Sequence, residues 1–541
     1  MKVIKMPDFF YRTEDIKPDE VLEYFVETAQ DRKILDALKG RNPVVLIGSR
    51  GVGKSFLLRV AQAELLNEYD KHKAFPVYVT FNKSSLIQTA NQDQFKYWMI
   101  ARLCAGLIRQ LWKQGKLTPT PSSASMLAGG DISQTLNKLK IEEIAEKFEE
   151  SWKTPNSIID TSFLPSIDTF KEALEDLAEA LEINRFIFLI DEAAHIFLPE
   201  QQRQFFTLFR DLRNHIVTCN AAVYPGVTSY GETFQPIHDA TMLSVDRDIL
   251  DKDYISNMRE IVEKQADSSI LKNMEQNGQN FAILAYAATG NPRILLKTVT
   301  RAEKLSGTQI DEIIREYYRS DVWSEHSNLA EKYSGHATLI NWGRNFIERE
   351  VIPDLKNKND QYLTAEKNTT AYIWLHRDAP EVVKEALRVL AYTGIVIEHA
   401  TGIKATRSEI GTRYQVNLGC LFAQESSPRV TAFQIATNLT PRRMAEFGSN
   451  HPAFKAITTI NIIDSTINSS ATLKLQLNKS IDVLDLSLWT KSRLRELGLL
   501  TVGDVFNASE EKLKQAYYVG NIRARRMRNT AVEAVIEYLS G

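Results

Sequence analysis

VVLIGSRGVGKSFLLRVAQAEL, Val44 to Leu65, decides the reading of this chain. An apolar run from Val44 to Ile47 is followed by a glycine-rich octet and then by helical text, so the order is strand, turn, helix. The octet Gly48-Ser49-Arg50-Gly51-Val52-Gly53-Lys54-Ser55 satisfies G-x-x-x-x-G-K-[ST]. Its glycines let consecutive backbone N–H groups turn inward around phosphate oxygens, and the helix that follows, beginning near Phe56, adds its positive end. Lys54 is placed to reach β- and γ-phosphates as a point charge, and the Ser55 hydroxyl to ligate Mg2+. A plain glycine turn is the competing reading, and the flanking strand and helix weigh against it.

Working outward, FPVYVTF at 75–81 reads as a second strand, FIFLI at 186–190 as a third and Val217 to Val227 as a further one. Such continuous apolar runs imply a parallel sheet buried on both faces by helices, hence an α/β first domain. The third run ends in Asp191-Glu192, which puts one carboxylate in the metal's water shell and the other, Glu192, where a base can act on an attacking water. Ala193, Ala194 and His195 follow, one alanine too many for an Asp-Glu-Ala-His box. Thr118 to Asp131, rich in Pro, Ser and Gly, reads as an exposed loop or lid inserted into the domain. Residues 246–305 read as a helical lid, in which Gly290-Asn291-Pro292-Arg293 opens a helix with Asn as N-cap and Pro in the first position.

At 541 residues the chain calls for about three or four domains. Its 43% hydrophobic and 25% charged residues are ordinary for packed cores, and a net charge of −2 leaves nucleic-acid contact to local basic patches. Cys104, Cys219 and Cys420 lack both paired spacing and histidine neighbours, which argues against a disulfide framework or zinc site and for a reducing compartment. The amino terminus has no apolar leader and no stretch is a membrane span, so a cytoplasmic location is expected.

Together, Gly48 to Ser55, Asp191-Glu192, Gly290 to Arg293 and FVETAQDRKILDAL before the loop resemble the origin-recognition type of AAA+ ATPase over residues 20–305 and, more distantly, the STAND signalling ATPases. The resemblance implies ATP and Mg2+ as ligands, ATP hydrolysis as the reaction, and Arg293 reaching the γ-phosphate, with Pro292 shaping the lid beside the nucleotide. It further implies a polar sensor after the fourth strand, which Thr228 fits by position, and an arginine finger for a homo-oligomer. Arg203, Arg210 and Arg213 recur near one face of a helix 200–213, with Arg210 and Arg213 the candidates. Phe25 and Val26 are candidates to line the adenine pocket, packing on the first helix being the alternative.

The expected order is a P-loop core (1–245), a helical lid (246–305), a winged-helix-like domain (306–425), a linker (426–480) and a small all-α helix-hairpin-helix domain (481–541). PEVVKEALRVLA at 380–391 followed by IVIEH and RYQVNL gives the helix and long hairpin of a winged helix, with Lys404, Arg407 and Arg413 in the hairpin. Leu497-Gly498-Leu499, Thr501-Val502-Gly503-Asp504 and Val519-Gly520 make the last sixty residues similar to the carboxy-terminal domain of the bacterial RNA polymerase α subunit. That resemblance implies phosphate binding after Gly520, supported by Arg523, Arg525, Arg526 and Arg528, although this arginine-rich stretch is longer than the polymerase pattern. Two functions compete: an ATPase that binds or remodels DNA, and a STAND-like switch in antiviral defence or signalling whose last domain docks a protein partner or effector.

Overall fold

The computed structural model describes residues 9–84, 87, 93–130, 132, 138–151, 159–193, 199–332, 336–406, 408–459, 477–484, 486–521, 523–528 and 530–531. The chain divides into two units, Met1–Gln309 and Ile310–Gly541.

In the first unit β1 (Val44–Ile47), β2 (Ala74–Thr80), β3 (Arg185–Asp191), β4 (Val217–Val223) and β5 (Thr241–Ser244) form one parallel sheet in the order β2-β3-β4-β1-β5. This is an α/β fold, a parallel sheet with apolar cores on both faces. On β3, Phe186, Phe188 and Ile190 enter one core, shared with Phe75, Val77 and Val79 and covered by the helices Asp93–Lys113 and Ile167–Ala180. Ile187 and Leu189 enter the other, with Val44, Leu46 and the helices Ala29–Lys39 and Lys54–Asn67. A strand covered on both faces has no solvent side to populate with polar residues, which is why FIFLI is uninterrupted. Because β4 lies between β1 and β3, the phosphate-loop strand and the acidic strand are one strand apart, with their carboxyl ends on the same edge.

The stretch from Thr118 to Asp131 is not an exposed loop. It holds the helix Ser122–Ala128, with Ala124, Leu127 and Ala128 buried in the first core. Their i, i+3, i+4 spacing supplies an apolar face that the Pro and Ser content obscures. The strand expected over Val217 to Val227 stops at Val223, and the helix expected over 200–213 stops at Asp211, leaving Arg213 in the turn beyond it. The lid consists of the helices Tyr254–Glu263, Ser268–Gln276, Gly278–Ala287 and Pro292–Arg301. An N-terminal segment crosses it: the Phe10 amide donates to Gln265 Oε1 at 2.9 Å, and the Tyr11 and Thr300 hydroxyls bond at 2.7 Å.

In the second unit β6 (Tyr372–His376), the helix Glu381–Thr393, β7 (Val396–Lys404) and β8 (Ile410–Val416) form the helix and hairpin of a winged-helix-like domain. The strands run well into the polar text, so the turn is shorter than the alternation implied. The stretch 426–459, expected as part of a linker, is integral: it gives the helix Pro428–Thr437 and β9 (Ala445–Phe447), which completes a sheet of order β7-β8-β6-β9. Phe447 and Phe454 pack on Phe346 with ring centroids 5.1 and 5.8 Å away, so two aromatic anchors outweigh the Ser, Thr and Asn composition. Of the rest of the expected linker, residues 460–476 lie outside the described residues.

The C-terminal module has its own small core, in which Leu494, Val502, Val505, Leu513, Ala524 and Met527 are fully buried. Its helices among the described residues are Leu488–Glu496, Val502–Asn507 and Glu510–Leu513, followed by helical residues at 521, 523–528 and 530–531. All three cysteines are free and buried. Among the described residues no helix is long and apolar enough to cross a membrane.

Candidate functional site

The phosphate loop leaves β1 and enters the helix Lys54–Asn67 through two glycines in the left-handed region, Gly51 at φ +89° and Gly53 at φ +108°. A Cβ on Gly51 would meet Asn291 Oδ1 at 2.8 Å, whereas one on Gly53 would meet nothing within 4 Å. One side of the loop is therefore closed by the lid and the other opens onto space. Lys54 is buried; its ammonium donates to the carbonyls of Gly48 (2.6 Å) and Ser49 (3.0 Å) and lies 4.1 Å from the centre of the Tyr224 ring. Burial lowers it to about 8, against the opposing fields of Asp191 and Asp246.

Asp191 ends β3 fully buried, with Oδ2 accepting from the Tyr78 hydroxyl at 2.6 Å and Oδ1 from the Glu192 amide at 2.9 Å. Tyr78 is itself covered by Arg59 from the phosphate-loop helix, 3.5 Å above its ring. A chain of contacts thus runs from that helix through Arg59 and Tyr78 to Asp191. Glu192 adopts φ +53°, a conformation that costs a non-glycine residue of order 1–3 kcal/mol. Burial first, then the neighbouring Asp191 charge, raise Glu192 to about 7. A carboxyl poised there accepts a proton near neutrality.

The lid meets the loop through Asn291, whose Nδ2 donates to the Arg50 carbonyl at 2.8 Å while Oδ1 caps the helix Pro292–Arg301 by accepting from the Ile294 amide at 3.3 Å. Pro292 takes the first helical position. Arg293 is half-buried, donates to the Tyr11 carbonyl at 2.9 Å and is lowered by burial and by the charges of Arg50 and Arg12. Lys54 also feels Arg293 as a like charge. Cations that oppose one another around an open loop make a site fitted to a polyanion.

Three further residues belong to this site and carry no motif. Arg247 donates to the Val52 carbonyl at 2.9 Å and lies 3.8 Å from buried Asp31, tying the loop to the helix Ala29–Lys39. Asp246 Oδ1 is buried with no hydrogen-bond partner, and burial raises that carboxyl. Tyr224 sits under Lys54 just after β4. Only its place inside the apolar run read from Val217 to Val227 pointed toward it.

Of the remaining candidates, Thr228 turns its hydroxyl to the Tyr224 carbonyl at 2.7 Å. Arg210 bonds Asp211 and the Thr233 carbonyl, and Arg203 bonds Ser229, whereas Arg213 is exposed. Phe25 lies 6.4 Å from Phe56, ring to ring, with Val26 buried beside it in sequence. Ser55 is half-buried; its hydroxyl and the Asp191 carboxylate are the hard oxygen donors Mg2+ takes, and they sit on elements that end at one sheet edge.

In the second unit Lys404 is exposed at the end of β7, and Arg407 lies outside the described residues. Arg413 is committed internally, donating to the Pro441 carbonyl at 2.8 Å and facing the Tyr372 ring. In the C-terminal module Arg523, Arg525, Arg526 and Arg528 are all exposed, while Ala524 and Met527 between them face the core. Arg525 pairs with Asp378 (3.4 Å) and Glu510 (3.5 Å). Gly520 has open space where a Cβ would point.

Residues 9–103 match the ORC-CDC6-like family model, so the resemblance to origin-recognition ATPases holds over the N-terminal segment, the phosphate loop and β2. No curated protein matches the sequence. Among solved structures the chain is similar to a Walker-type ATPase of Pyrococcus abyssi (15% identity, 79% of this chain and 97% of that one, TM-score 0.36). It is also similar to two Aeropyrum pernix proteins. One is the ORC1 protein in complex with DNA (13%, 78% and 93%, TM-score 0.31), the other the ORC2 protein in ADPNP–ADP complexes (11%, 83% and 98%, TM-score 0.36).

Proposed function

We propose that this chain is an AAA+ ATPase that hydrolyses ATP and couples its nucleotide state to DNA binding. The observation that carries the reading is the gathering of Lys54, Asp191 and Glu192 within one electrostatic neighbourhood at the carboxyl edge of the sheet. Gly48 to Ser55 bind the phosphates through backbone N–H groups and the helix end, and Phe25, Val26 and Phe56 flank the base. Glu192 takes the proton from the attacking water. Ser55 and Asp191 would hold Mg2+, which would supply positive charge to the phosphate oxygens. Arg293, already ringed by like charges, gains most from a γ-phosphate and so distinguishes ATP from ADP. Lys404 and the arginines after Gly520 supply sequence-independent attraction to DNA phosphates.

The second reading, an ATP-driven oligomerisation switch with a protein partner, uses the same nucleotide site. It gains from Arg525 and Arg413 being committed inside the unit, which thins the basic face. Arg210 and Arg213 are the finger candidates in either case.

The test is DNA affinity of the full chain with ATP and with ADP, alongside nucleotide affinity of wild type and Lys54→Ala. The expected result is loss of nucleotide binding in the variant by roughly 100-fold or more, and with it loss of any ATP-dependent difference on DNA. Undiminished nucleotide binding by Lys54→Ala overturns the site, and DNA affinity indifferent to nucleotide favours the second reading.

A further inference from the structure

The C-terminal module exposes aromatic side chains that its fold has no use for. Trp489, the second residue of the helix Leu488–Glu496, is 41% exposed, and Tyr517 and Tyr518 in the turn before Gly520 are 70% and 71% exposed. The core of the module is assembled without them, from aliphatic residues, alanines and one methionine. Exposed aromatics of this size, grouped, mark an interaction surface and not packing.

These rings are joined. Arg523 donates to the Tyr518 carbonyl at 2.6 Å and places its guanidinium 5.0 Å from the centre of the Trp489 ring, while Arg493 lies 5.5 Å from the same ring. Tyr517 and Tyr518 contact each other at 4.9 Å. One arginine therefore fastens the turn to the helix, and the second guanidinium near the indole, that of Arg493, is paired with Glu496 at 2.7 Å. Tyr518 holds φ +63°, a left-handed conformation that a bulky side chain adopts at a cost. It turns the chain so that both phenols stand in solvent while Val519 enters the core. The surroundings are basic: between Leu477 and Ala531 there are ten Lys and Arg against six Asp and Glu, in a chain whose net charge is −2.

We infer that this surface is a stacking platform for unpaired bases: Trp489, Tyr517 and Tyr518 take nucleobase faces, and Arg523, Arg526 and Arg528 take the phosphates of the same strand. This rests on the DNA reading above and narrows it, because bases within a duplex offer no free face to an aromatic ring, whereas a single strand or an opened duplex does. Arginine and tryptophan also anchor protein contacts, but those centre on desolvated pockets, and here Arg523, Tyr517 and Tyr518 stand in solvent.

The experiment uses the full chain and three labelled DNAs: a single strand, a strand of equal length whose bases are replaced by abasic sites, and a duplex of that length, followed by anisotropy at low salt. The single strand is expected to bind about tenfold more tightly than the abasic strand, and Trp489→Ala and Tyr517→Ala each to erase most of that preference while leaving abasic binding unchanged. Tyr517→Ala guards against a folding defect, since its side chain is mostly in solvent. Equal binding of normal and abasic strands, or aromatic variants that match wild type on the single strand, overturns the inference while the duplex signal keeps the DNA reading intact. Absence of binding to all three removes both and points to a protein partner.

Discussion

Two regions of this molecule concentrate positive charge, and they hold it in opposite ways. At the phosphate loop Lys54, Arg247 and Arg293 are each buried or half-buried and each bonded to a backbone carbonyl, of Gly48 and Ser49, Val52 and Tyr11 in turn. In the C-terminal module Arg526 and Arg528 stand in solvent. Buried charge requires specific partners, so it fixes geometry and responds to a single substitution. Exposed charge is screened and interchangeable, so it sets affinity in small graded steps. The first arrangement suits chemistry on one phosphate, and the second suits a polymer that presents many.

The largest expected effect lies at the buried site. Glu192→Gln keeps shape and burial but removes the base, so ATP binding is retained while hydrolysis falls by roughly 100- to 10,000-fold, read in single-turnover assays. Because burial and Asp191 hold this carboxyl at about 7, and only the ionised form accepts a proton, turnover in the wild type rises with pH through about 7 and levels off above it. A flat profile there would show that Glu192 is not the base and would weaken the contrast drawn above. Turnover by Glu192→Gln equal to wild type would remove the residue from the reaction altogether.

An intermediate effect belongs to the junction of loop and lid. Asn291→Ala deletes an N-cap and the bond to the Arg50 carbonyl together, so thermal stability drops by about 0.5–2 kcal/mol and ATP affinity weakens several-fold. Stability lost with affinity unchanged would mean the capping role is the whole of it. The smallest effect is expected on the exposed face. Arg526→Ala and Arg528→Ala each lower the slope of log affinity for DNA against log salt by about one, with uniform weakening across sequences. A tenfold or greater loss from either at unchanged salt slope would mean that this face reads something specific, and the comparison between the two regions would need to be redrawn.

Much of the nucleotide site was legible because its chemistry depends on local spacing. Gly48 to Ser55 are contiguous, and Asp191-Glu192 close an apolar run whose length announces a buried strand. The residues that escaped are those whose role comes from distant partners. Asn291 was read as an N-cap, yet its second bond goes to Arg50, 241 residues earlier in the chain. Tyr78 is unremarkable text in a strand until parallel pairing sets it opposite Leu189, two residues before the Asp191 that it hydrogen-bonds. Composition misled twice in the same manner. The Pro and Ser of Thr118 to Asp131 hid a helix buried through Ala124, Leu127 and Ala128, and the Ser, Thr and Asn of 426–459 hid β9 and the anchors Phe447 and Phe454. A few apolar residues at the right spacing outweigh a polar background, since burial of each large side chain contributes about 1.5–3 kcal/mol.

By itself the sequence determined the phosphate loop, the acidic strand end, the α/β class and the helical character of the lid, because backbone conformation and one-residue periodicities follow from neighbours a few positions away. The tertiary structure alone decided that β4 separates the two motif strands, that Arg247 and Asn291 brace the loop, and that Arg523 bridges the Trp489 ring and the Tyr518 carbonyl. Those facts depend on which surfaces meet after burial is satisfied, and contacts between residues tens or hundreds of positions apart leave no periodic trace in the chain.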